Sequence, residues 1–406
     1  MRNSRRRRRW LVITSSFPRD GRDLAGHFVR EWCRSLTRRG HDVDVLCWRG
    51  PSATSRRIEE GLDVRFVPYG PPAAEQLFFG DGAPENIRGR PWTKLLAAPA
   101  AISMVAAALR ACRRTDYDGV VGHWLVPGGL IARLVGGLAS LPSAIVGHSA
   151  GVHLLDRLAR HVGTPLGRWL VDGPVTVPTA ALRKKLVGVV GQDSVGGLEV
   201  APMGYRPGPE TVEPSAPPAK ELTVGFLGRL VPIKGLPTVL QAVERLRDRG
   251  LTVELDVVGA GPRRRAWEEE AGPGIEFLGP MYGERKWSAL RRWDGLVVPS
   301  KPRADGRHEG LPVSLLEGAS AGAVPLVSGV PGVERWLASP ERQIVAAGDV
   351  DGWVKALRWL ATMGEDRRDE LMESTRRRVA SLAWPEYGSW WEEWLEDAVG
   401  STRPEN

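Results

Sequence analysis

Short, solid apolar runs alternate along this chain with longer segments whose apolar residues recur every three or four positions. Residues 10–14 read as a strand, 27–39 as a helix closed by Gly40, and 41–48 as a second strand. Strand, helix, strand is a unit with parallel strands. Residues 64–68, 117–121, 143–146, 173–177 and 186–190 continue the series as further short strands with helical segments among them. The texture changes at residues 205–220, where five prolines make a semi-stiff linker. A second alternation follows: strands at 222–227, 252–258, 275–278, 295–298, 324–327 and 343–345, and helices that include 236–249 and 313–321. Strands buried on both faces give such unbroken apolar runs. Two successive rounds predict an α/β protein of two doubly wound, Rossmann-like domains, whose ligands bind off the carboxyl ends of the strands in a shared cleft. The expected divisions are a disordered basic arm (1–9), a first domain (10–205), the linker (206–220), a second domain (221–385), and a tail helix (386–406) that packs back on the first domain through Trp390, Trp391 and Trp394.

At 406 residues, 42% hydrophobic and 26% charged, the chain has material for two cores. The formal charge is +8, but Arg2 and Arg5 to Arg9 supply six positive charges, so the remainder is nearly neutral. The arm reads as solvated, with an anionic membrane as the alternative partner; no basic face with interleaved aromatics continues into the body, which argues against nucleic acid. Cys33, Cys47 and Cys112 are in neither metal-ligand nor paired spacing, and no leader peptide is legible. A cytoplasmic protein is expected, with peripheral attachment at the inner face of the membrane as a variant. The longest apolar stretch, 95–109, contains Pro99 and is shorter than a bilayer span. It reads as a core helix, with a membrane-facing helix as the alternative.

Two stretches carry the chemistry. In the first, Glu309 and Glu317 stand at the two ends of a segment in which Gly310, Leu311 and Pro312 turn into a helix. A helix start offers free N–H groups to phosphate, and a carboxylate one turn further in can accept from neighbouring sugar hydroxyls. In the second, Arg229 and Lys234 lie between Gly228 and Gly235 in a strand-to-helix turn, where two cations can hold a pyrophosphate and stabilise it as it leaves.

Together these stretches resemble the second domain of the retaining family 4 glycosyltransferases of the GT-B fold. Residues 17–46 are similar to that family's opening loop, helix and Gly-His strand; residues 118–134, with His123-Trp124 and Pro127-Gly128, to its next unit; residues 201–205 to its interdomain turn; and residues 259–262 and 279–282, Met281 included, to the loops around its nucleotide. The resemblance implies that Arg229 and Lys234 grip the donor diphosphate, that Glu317 binds the ribose, and that Glu309 with the backbone of Gly310, Leu311 and Pro312 orients the donor. It implies that Gly26 brings the first-domain loop to the phosphates or acceptor, that Gly259 lies at the nucleotide, and that His148 contacts the sugar. The co-substrate would be a nucleotide-diphosphate sugar and the acceptor a glycan, a lipid-linked molecule or a small molecule; no metal cofactor is expected. Where the family carries His-Gly-x-Asp, this chain has His148-Ser149-Ala150-Gly151, so the aspartate is replaced by Gly151.

Other readings compete. Gly147 to Gly151 matches a G-x-S-x-G nucleophile elbow, which would make Ser149 the nucleophile of an α/β-hydrolase. The downstream histidines, His153, His161 and His308, are poorly placed to complete a triad. Asp42/Asp44, Asp116/Asp118 and Asp349/Asp351 match a loose Asp-x-Asp metal pattern that arises readily by chance. A non-catalytic binding protein and a sugar-nucleotide epimerase of similar architecture also remain open.

Overall fold

The computed structural model describes residues 6–19, 26–51, 54–80, 82–162, 164–209, 222–303, 308–384 and 386–400. The chain divides into two units, Met1–Met203 with Pro385–Asn406, and Gly204–Trp384. Most of the expected linker, and residues 1–5 of the arm, lie outside the described residues.

The first unit holds β1 (Arg9–Thr14), β2 (Asp42–Trp48), β3 (Arg56–Glu59), β4 (Leu62–Val67), β5 (Gly119–His123), β6 (Ser143–Val146), β7 (Val175–Val177) and β8 (Leu198–Val200). They form one sheet in the order β3-β4-β2-β1-β5-β6-β7-β8, parallel except for the β3–β4 hairpin. Every residue of β5 is buried, as a central parallel strand covered on both faces requires. Residues 186–190, expected as a strand, instead end the helix Ala180–Val190. Thr179 caps that helix by accepting from the Leu182 N–H (3.2 Å), and Leu182, Leu186 and Val190 follow at four-residue intervals, all buried.

The arm is shorter than expected. Arg9 already belongs to β1. Arg7 is paired with Asp42 (2.6 Å), Arg8 with Asp118 (3.3 Å) and Arg9 with Asp44 (3.4 Å). Parallel register brings the start of β1 beside the starts of β2 and β5, so the arginines meet the aspartates just before, or among the first residues of, those strands. Tail helix Glu386–Gly400 belongs to this unit: Trp391 is fully buried edge-on to Trp32 (5.8 Å), and Glu392 lies between Arg39 (2.6 Å) and His41 (2.9 Å).

The expectation of a core helix at 95–109 is corrected. A tight turn, Pro91–Leu96, runs into the helix Ala97–Arg114, giving a helical segment long and apolar enough to cross a membrane. Only Ala100, Met104, Ala108 and Ala111 of the helix are buried, because Ala97–Arg114 covers the sheet along a single stripe.

The second unit holds β9 (Leu222–Leu227), β10 (Val253–Val258), β11 (Ile275–Gly279), β12 (Gly295–Pro299), β13 (Val324–Ser328) and β14 (Ile344–Val345), all parallel, in the order β11-β10-β9-β12-β13-β14. Val224, Phe226, Leu255, Val257 and Val297 pack against the helix Leu236–Asp248 and against fully buried Trp353. The order reverses between β9 and β12, which opens a crevice beyond the carboxyl ends of those strands.

Candidate functional site

In the second unit the candidate residues gather at that reversal. After β9 the chain turns through Gly228 to Gly235. Gly228 N–H donates to Val258 O (3.0 Å) and Leu230 N–H to Ala260 O (2.9 Å), which fixes the turn beside the Gly259-containing loop after β10. Lys301 N–H donates to Ile233 O (2.8 Å), fixing it also to the end of β12. Gly235 has φ +65°, and a Cβ there would stand 1.8 Å from Pro299 O, so only glycine allows this approach.

That approach carries Lys234 to the loop after β12, where its Nζ lies 2.5 Å from Glu309 Oε1. The other Glu309 oxygen accepts a hydrogen bond from Ser300 Oγ, and Ser300 O accepts from Ser328 Oγ (3.1 Å). The ends of β9, β12 and β13 thus hold one carboxylate. Gly310, Leu311 and Pro312 lead from it into the helix Val313–Ala321, with Pro312 in extended conformation at the N-cap. Glu317 stands on this helix and accepts from Lys286 Nζ (2.7 Å), which itself lies 5.0 Å from the Trp287 ring centroid. Lys286 belongs to the helix Gly283–Arg292, which follows the Met281 loop. Both pairs are mostly buried. Ion pairs of this kind contribute little net stability, because desolvation offsets attraction; their consequence is alignment. Arg229 lies in the same turn as Lys234.

The first unit assembles a different cluster. His148, just beyond β6, meets Trp124 (4.5 Å between ring centroids) and Phe28 (5.2 Å) and stacks on His123 at the end of β5 (5.5 Å). Trp32 stands edge-on to His123 at 4.8 Å. His123 Nδ1 and His148 Nε2 are 3.2 Å apart, so one donates to the other. Burial lowers the His148 pKa to about 3, and burial together with neighbouring His148 lowers that of His123 well below the usual range. Both rings are therefore neutral at pH 7. Gly26 starts the helix His27–Thr37 that carries Phe28. It has φ +74°, and a Cβ there would meet Ser16 O at 2.3 Å, so only glycine allows this approach to Ser16. A Cβ on Gly151 would come within 2.9 Å of Leu125 N, which leaves no room for the family's aspartate without a backbone shift.

The structure brings Lys234 to Glu309 directly, sets Gly259 and Arg229 in adjoining loops, and places Gly310, Leu311, Pro312 and Glu317 in succession. Sequence reasoning assigned no role to Lys286, Ser300 or His123. Nothing in local spacing marks Lys286 or Ser300, since each reaches its glutamate across the fold; His123 was visible only within the His-Trp pair.

The rival signals lose their footing. Ser149 opens an ordinary helix; among the described residues, the non-glycine residues in left-handed conformation are Glu60, Trp124 and Ser140, so the strained turn of a nucleophile elbow is missing. His308 Nδ1 is occupied at 2.8 Å by the Glu309 carbonyl. Asp42, Asp44 and Asp118 bind arginines, Asp349 accepts from the Gly352 N–H (2.9 Å), and Asp351 pairs with Arg245 (2.8 Å).

Residues 221–363 match the family of glycosyl transferases group 1, and residues 25–193 match a glycosyl transferase 4-like domain. The chain belongs to the group 1, family 4 glycosyltransferases and has their GT-B fold of two Rossmann-like domains. Among curated relatives, a GDP-mannose-dependent α-(1-6)-phosphatidylinositol monomannoside mannosyltransferase of Mycobacterium tuberculosis is 30% identical over 217 residues, 50% of this chain and 54% of that one. The chain spans about half the length of the curated relatives it matches. Among solved structures, a sucrose-phosphate synthase from Thermosynechococcus elongatus superposes with a TM-score of 0.71 at 15% identity, covering 97% of this chain and 100% of that one. Anabaena HepE, solved with UDP and glucose, superposes with a TM-score of 0.66 at 13% identity, covering 96% and 99%.

Proposed function

We propose that this glycosyltransferase moves a hexosyl group from a nucleotide-diphosphate sugar to a hydroxyl of a glycan, lipid-linked or small-molecule acceptor, with retention of anomeric configuration. One observation carries the reading: Lys234 against Glu309 at the strand reversal, beside a helix start, with Glu317 about a turn further in. Before the donor binds, Glu309 neutralises Lys234. A diphosphate is the stronger partner for Lys234 and Arg229, and its arrival frees the Glu309 carboxylate to accept from sugar hydroxyls. Lys286 holds Glu317 in position for the ribose hydroxyls.

The acceptor hydroxyl attacks the anomeric carbon on the face from which the diphosphate departs. The bond from that carbon to the phosphate oxygen breaks, its electron pair stays on the oxygen, and the oxygen takes the hydroxyl proton. Arg229 and Lys234 offset the growing charge, so no enzymic base and no divalent ion is assigned a role.

Nucleoside diphosphate release from a panel of nucleotide sugars, with an acceptor extract, tests the reading, and NMR of the product reads the anomer. Release with at least one donor and a retained configuration is expected. Tight donor binding without release would instead mark a binding module, and an inverted product would overturn the mechanism.

A further inference from the structure

Helical segment Pro91–Arg114 is neither core nor free. Trp48 Nε1 donates to the Ala100 carbonyl (2.8 Å), and Met104 and Ala108 are fully buried, so the helix is fastened flat to its domain and cannot turn to span a bilayer. Its outer side is apolar: Leu95 is 72% exposed, Ile102 70% and Trp92 45%. Trp92 and Leu95 lie in the turn Pro91–Leu96, and Ile102 in the helix that follows it directly. On the adjoining helix Leu130–Ala139, Leu134 and Leu138 are exposed as well.

Charge says what covers this face. From Asn86 to Thr115 there is no acidic residue. Arg90 and Lys94 are exposed at one end of the segment, and Arg110, Arg113 and Arg114 at the other, with no charged residue from Leu95 to Leu109. A second copy of the chain would bring like charges together across a symmetric contact, which disfavours self-association. An apolar face with a tryptophan, flanked by cations, fits the boundary between anionic headgroups and acyl chains.

We infer that this face docks the protein onto an anionic membrane surface, with Trp92, Leu95 and Ile102 entering the acyl boundary and Arg90 and Lys94 held at the headgroups. The contact puts the protein within reach of acceptors embedded in a bilayer. It needs no turnover, so it stands or falls apart from the catalytic reading.

Flotation of the full chain with phosphatidylcholine vesicles, with and without phosphatidylglycerol, provides the test, alongside the double variants Leu95→Ser/Ile102→Ser and Arg90→Glu/Lys94→Glu. Both variants alter exposed side chains, and circular dichroism checks that they fold. The wild type is expected to float with the anionic vesicles and to dissociate as salt rises, and each variant to lose roughly tenfold or more in partitioning. A wild type that stays with the soluble fraction, or a Leu95→Ser/Ile102→Ser variant that floats as the wild type does, overturns the inference. So does a concentration-dependent dimer abolished by the serine variant without any flotation.

Discussion

Two polar clusters, one in each unit, solve the problem of burying function-bearing groups in opposite ways. In the second unit, lysines meet carboxylates: Lys234 and Lys286 are each matched to a glutamate, and Ser300 takes up the other oxygen of Glu309. In the first unit, His123 and His148 sit among Phe28, Trp32 and Trp124 and are held neutral. On the reading proposed above, the lysine–glutamate cluster suits a charged diphosphate, whereas the neutral, ring-lined cluster suits uncharged hydroxyls.

Removing a cation is expected to have the largest effect. Lys234→Ala should lower turnover roughly a hundred-fold, because a contact that strengthens as the diphosphate leaves is lost. Steady-state kinetics with the best donor checks this, and a change confined to KM would place Lys234 in ground-state binding instead. Gly151→Asp comes next. The close approach to Leu125 N predicts a loss of roughly 1–3 kcal/mol in urea unfolding, so restoring the family's aspartate should weaken the first unit.

Acid should discriminate the clusters. A histidine kept neutral by burial binds its proton only in the unfolded chain, so stability falls as pH drops below about 6.5 and continues to fall toward the His148 pKa of about 3. For each such ring, about 1.4 kcal/mol is lost between pH 7.5 and pH 5.5, a range in which most carboxylates stay ionised. Urea unfolding at the two pH values should show this loss, and His148→Asn should shrink it; an unchanged pH dependence would mean that the ring is protonated when folded. Smallest is Lys286→Met, expected to raise the donor KM several-fold with kcat nearly unchanged, since Glu317 loses the partner that aligns it. Lys286→Arg should recover part of that loss.

The same contrast explains what was legible in the sequence. β9, β10, β12 and β13 were readable because parallel strands buried on both faces leave unbroken apolar runs. β3 was not: Arg56-Arg57-Ile58-Glu59 is a polar edge strand with Ile58 exposed, and three-residue β8 offers no period to detect. Residues 186–190 misled because the last turn of an amphipathic helix, rich in valine, looks like a strand when taken alone. At the site, the Arg229/Lys234 and Glu309/Glu317 spacings could be read because each pair lies within one loop or one loop-to-helix turn. Lys286, Ser300 and the pairing of His123 with His148 could not, since residues far apart in sequence meet there only after folding.

Calorimetric titration of UDP, GDP, ADP and dTDP into the wild type and Glu317→Ala tests the central claim most directly. At least one of the four should bind the wild type saturably, and Glu317→Ala should weaken that binding roughly tenfold or more, the effect of losing a charged hydrogen bond to the ribose. No binding of any of the four to the wild type, or equal affinity in the variant, would contradict the account.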